Sequence, residues 1–81
     1  MSTYSVKNYS EQIFVYQWDV SKQVIENKDD VWSRINEYVQ NVKGTIINIE
    51  TRPDYTSPYL GSIPGGYRVF ICTESITQNK D

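Results

Sequence analysis

The chain has 81 residues, eight Lys or Arg against ten Asp or Glu for a net charge of −2, and no histidine. That balance excludes the basic stripe of a nucleic-acid binder and the dense acidic face of a DNA mimic. The missing imidazole removes the commonest general base and the commonest metal ligand, so neither catalysis nor a metal or cofactor is expected.

A chain this short makes one domain, 1–81, near the lower limit at which a single core is self-sufficient. Its aromatic content is high, with seven Tyr, two Trp and two Phe. Tyr and Trp bring large contact area with a polar tip that needs a partner. The lone Cys72 lies in the apolar run Val69-Phe70-Ile71-Cys72 and reads as a small hydrophobe. It has no second cysteine to pair with, so a reducing, cytoplasmic setting is expected. The N-terminus lacks the pattern of a signal peptide, and no apolar stretch reaches the length of a membrane span.

Residues 1–12 are polar with scattered Tyr4, Val6 and Tyr9, a spacing without a clean period; they read as an arm or a short edge strand. The run Ile13 to Val20 is β-branched and aromatic and predicts the first main strand, followed by a connection over 21–27. Asn27 is placed to cap a helix, with Asp29 and Asp30 in the first turn, where the macrodipole favours negative charge. Val31, Ile35, Tyr38, Val39 and Val42 then recur at helical steps over roughly 28–43, and Gly44 is the expected left-handed terminator. Thr45 to Arg52 alternates as a second strand, which Pro53 ends. Tyr67 to Glu74 predicts the third strand, and 75–81 a polar tail that frays.

These elements predict an α+β fold in two layers, β-α-β-β, with a three- or four-stranded sheet and one helix packed on one face. The second and third strands should pair as an antiparallel hairpin. The order is similar to half of a ferredoxin-like fold, an architectural analogy that implies nothing about function.

Strand parity assigns Ile47, Ile49, Val69 and Ile71 to the face beneath the helix. The opposite face then carries Ile46, Phe70, Cys72 and the stripe Phe14, Tyr16 and Trp18. Isolated domains rarely expose an apolar patch of that extent. The arm, the long loop or a second copy of the chain would have to cover it. Self-association through Phe14, Tyr16, Trp18 and Phe70 follows as an expectation.

The 53–66 segment is too long for a tight hairpin and too aromatic for a solvated linker. Tyr55, Tyr59, Leu60 and Ile63 offer contact area with few rotatable bonds, and Pro53, Pro58 and Pro64 reduce the cost of ordering them. The expected function is a small non-enzymatic interaction module, a regulator or inhibitor of the kind a phage or other mobile element encodes, docking on another protein through this loop and the sheet edge. The competing reading is a small-molecule or nucleotide binder that uses the loop tyrosines, the Gly65-Gly66 turn as an anion nest, and Arg52 or Arg68. No phosphate-loop spacing accompanies those glycines.

Overall fold

The computed structural model describes residues 2–79, with side chains over 3–76. In chain order it holds β1 (Ser2–Phe14), β2 (Trp18–Asp19), β3 (Val24–Ile25), α1 (Lys28–Asn41), β4 (Gly44–Thr51), β5 (Tyr55–Ser57), β6 (Gly61–Ile63) and β7 (Tyr67–Asn79). The main sheet is β1-β7-β4, with β7 in the centre and antiparallel to both neighbours. β1 and β4 therefore run parallel to each other on opposite sides of β7. The pairs β2-β3 and β5-β6 are small antiparallel ribbons inserted in the two connections. The class is α+β as expected, and β4 and β7 do pair antiparallel.

The helix forms where capping and period agree. The Asn27 carboxamide oxygen accepts from the Asp30 N–H at 2.8 Å, and Asp29 and Asp30 occupy the first turn. Val31 and Ile35 are fully buried against Tyr67, Val69 and Ile71, with Trp32, Tyr38, Val39, Ile46 and Ile49 packed around them. The terminator differs from expectation: Lys43, not Gly44, takes the left-handed conformation, with φ 55°. Gly44 begins β4 and is small for another reason. A Cβ there would lie 2.6 Å from the Ile71 Cγ2 atom across the ladder. Val42 falls past the helix and is exposed.

Three further sequence expectations are corrected. The first strand is not Ile13 to Val20 but Ser2–Phe14, so the polar arm is itself the edge strand. The apolar run marks instead where the chain leaves the sheet and turns beneath the helix. The segment expected to fray is strand to Asn79, paired with β1 as far as Ser2; residues 80–81 lie outside those described. A register shift between Ile46 and Asn48 changes the parity of β4. It turns Ile46 toward the helix beside Ile49 and leaves Ile47 53% exposed.

β4 reaches only to Thr73 of its neighbour, whereas β1 continues to Asn79. The outer parts of β1 and β7 thus stand alone as a two-stranded ribbon. The extents of 62 × 25 × 16 Å and a radius of gyration of 17.6 Å reflect it; a compact chain of this length would measure about 12 Å. Among the described residues no helix is long and apolar enough to cross a membrane.

Candidate functional site

The 53–66 segment is an ordered hairpin. Tyr55, Thr56 and Ser57 pair with Ile63, Ser62 and Gly61. The turn Pro58-Tyr59-Leu60 is held from within, because the Ser57 hydroxyl oxygen accepts from the Tyr59 and Leu60 N–H groups, both at 3.2 Å. Local hydrogen bonding of this kind lets Ser stabilise a turn without neighbours from elsewhere in the fold. The hairpin belongs to its own small sheet, and its tip projects Tyr59, which is 93% exposed. Tyr55 and Leu60 flank it, each about half exposed.

Ile63 and the two glycines belong to the base of the hairpin. Ile63 is buried. Gly65 and Gly66 are buried as well, because the chain passes too close to other backbone to admit a side chain. A Cβ on Gly65 would strike the Pro53 carbonyl, and one on Gly66 the carbonyl of Phe14. Gly66 has φ +87°, a conformation that L side chains rarely adopt. Its carbonyl accepts from the Arg52 N–H at 2.9 Å, and the Arg52 guanidinium lies 3.3 Å from the Gly65 carbonyl oxygen. Arg52 and the glycine pair thus clamp the two ends of the excursion together. The two glycine carbonyls and the Arg52 donors are bonded to one another.

Arg68 is separate from this cluster. It lies on the sheet face away from the helix, its Nε 2.8 Å from a Glu11 carboxylate oxygen, off the axis of an aligned hydrogen bond, with Glu50 4.0 Å from Nη1. Phe70 and Cys72 share that face, both half-buried. Phe14 and Tyr16, expected beside Phe70, are on the other side. The Phe14 ring meets Tyr38 edge-on at 5.8 Å, and Tyr16 packs against Tyr67, which in turn meets Trp32 at 5.1 Å. The register explains the change: Phe14 stands opposite Tyr67 in the β1-β7 ladder, so it takes the helix face with Val69 and Ile71 while Phe70 takes the other, and β1 ends before Tyr16. Trp18 is in β2, 41% exposed, beside an open cleft lined by Gln17, Asp19, Val20, Ser21 and Glu26. The four residues expected to form a self-association surface do not share one.

A polar junction not anticipated from the sequence ties this end together. The Arg34 guanidinium grips the Glu26 carboxylate with two bonds, Nε to Oε2 at 2.9 Å and Nη2 to Oε1 at 2.7 Å, and Nη2 also donates to the Val15 carbonyl at 2.6 Å. The arginine holds the Glu26 carboxyl below its ordinary value. Pairing between a helix residue and the connection before it leaves no periodic signature in the sequence. Among the described residues there is no cluster of three groups able to hold a metal ion.

Comparison of the chain with protein families, characterised proteins and solved structures finds no match in any of the three.

Proposed function

We propose that this protein is a non-enzymatic interaction module, a small regulator or inhibitor, that docks on another protein through the tip of the β5-β6 hairpin. The observation carrying the proposal is Tyr59: a large aromatic side chain, almost wholly exposed, on a turn that is ordered by its own hydrogen bonds. Keeping such a side chain in water while ordering the backbone beneath it gains nothing for folding. It does lower the entropy lost when the ring is buried by a partner. Tyr55 and Leu60 beside it supply the surrounding apolar contact, and the partner surface that fits is an apolar pocket with a polar rim.

The test replaces Tyr55, Tyr59 and Leu60 together with Ser and compares the variant with the parent chain in affinity capture from the native host extract. A protein retained by the parent and lost by the folded variant supports the proposal. Equal capture by both would move the site elsewhere. A thermal-shift screen against nucleotides separates this reading from small-molecule binding, because a ligand of the native state raises its melting temperature.

A further inference from the structure

The two outer edges of the main sheet are defended unequally. β4 is 8 residues long, is interrupted by the bulge at Ile46 and Asn48, and is followed by Arg52 and Pro53. Short length, a bulge, a terminal charge and a proline are the devices that stop an edge from pairing with another chain. β1 has little of this. It runs 13 residues without proline, in unbroken register with β7, and among the described residues no strand lies along its other side. Tyr4, Val6, Tyr9 and Ile13 along it are exposed by 38% to 68%.

The charges on β1 select what the edge fits. Only Lys7 and Glu11 are ionised along it, both on the face away from the helix, with Tyr9 midway between them. We propose that β1 is a homodimerisation edge, pairing antiparallel with β1 of a second copy about a twofold axis at Tyr9. In that register Lys7 stands opposite the partner's Glu11, and Glu11 opposite the partner's Lys7, so both charges are matched at once. Tyr9 meets its own symmetry mate, and Tyr4 stands opposite the partner's Phe14. A register centred on Lys7 or on Glu11 would set like charges face to face, which destabilises a strand pair. Registers centred on Asn8 or Ser10 give neither charge an opposite charge across the new contact, leaving them only Arg68 beside Glu11 and Glu74 opposite Lys7 within the chain. A surface whose complement is itself about one axis is what an isologous dimer requires. The two three-stranded sheets join into one of six, with both helices on the same face and both β5-β6 hairpins outside the contact. This dimer is independent of what the hairpin binds.

The test is light scattering of the full chain across micromolar concentrations, with charge-swapped variants. The parent is expected at twice the 9.5 kDa chain mass. Lys7→Glu and Glu11→Lys should each weaken the dimer by about tenfold or more, since each variant creates two like-charge pairs. An equimolar mixture of the two single variants should restore association as a heterodimer, because each then presents the opposite charges to the other, while the in-chain surroundings of position 7 opposite Glu74 and position 11 beside Arg68 stay as in the singles. Register is read by crosslinking in a Cys72→Ser background, which removes the thiol facing Tyr9 across the β1-β7 ladder. There Tyr9→Cys should form an intermolecular disulfide under mild oxidation and Ser5→Cys should not, as only directly opposed positions fall within bonding distance. A parent that remains monomeric overturns the proposal. So does a dimer indifferent to the single swaps, or association that mixing the two single variants fails to restore.

Discussion

Arg34 and Glu26 close a two-pronged ion pair eight residues apart in the chain, with donor–acceptor distances of 2.9 and 2.7 Å. Through it the helix, the β3 exit and the end of β1 share one contact, since the same guanidinium reaches Val15 and the Glu26 carboxylate also accepts from the Gln17 N–H at 3.2 Å. Glu26→Gln should therefore destabilise the fold by about 1–3 kcal/mol, the cost of leaving a partly desolvated guanidinium without its counter-ion. Chemical denaturation of the two chains measures it.

The same pair sets a pH dependence. The Glu26 carboxyl is lowered in the folded state from an ordinary value of 4.5, chiefly by its bonds to Arg34. Its contribution to stability is then fully present above that value and is lost as pH falls through the lower folded one. Melting curves from pH 7 downward should show a fall below about pH 4.5 that is smaller in Glu26→Gln, if referred to each chain's own neutral stability.

Two glycines at positive φ should respond differently to alanine. Gly61 has φ +79° with nothing near its missing Cβ, so Gly61→Ala should cost only backbone strain, roughly 1–2 kcal/mol. Gly66→Ala adds a collision with the Phe14 backbone that no rotamer relieves. It should cost well over about 3 kcal/mol, the upper range for strain alone. A small domain has little more than that in reserve, and loss of cooperative melting is the expected result.

The bulge in β4 is testable by a neighbouring pair. Ile46 packs into the core and Ile47 is 53% exposed. Ile46→Ala should cost about 2–4 kcal/mol and Ile47→Ala under about 1 kcal/mol. Unbroken alternation from Ile47 would give the reverse order.

The Tyr55, Tyr59 and Leu60 triple serine variant should keep its fold, because these side chains are exposed and the turn is tied by Ser57. A loss near 1 kcal/mol would lower the melting temperature by about 4–8 °C in a domain of this size. Far-ultraviolet circular dichroism and a melt of the variant check it.

The helix was legible because its cap, its period and its charge placement are all local. Val31 and Ile35 stand where the pattern puts them. β1 was not legible as a main strand, because both its faces are largely in water over Thr3 to Ser10. Alternation is imprinted on a strand only where one face is buried. The same reason hides the end of β7. In β4 the alternation was visible but the bulge was not, and one inserted residue exchanged Ile46 for Ile47 in the core. The 53–66 segment was conspicuous by length and aromatic content. Its division into an exposed tip and a buried base rests on backbone approaches of Gly65 and Gly66 that composition does not encode.

The pairing of Ser2 with Asn79 joins positions separated by almost the whole chain. Such a ladder cannot be an early event in folding, since closing a loop of that length costs entropy before any contact repays it. The helix, β4 and the adjoining part of β7 are near in sequence and hold most of the buried side chains, so they are the part expected to form first. β1 then zips outward from Phe14 against a strand already in place. Its distal rungs form last and open first, and amide hydrogen exchange should grade along the ribbon, fastest at the tip and slowest where Val69 and Ile71 meet the helix.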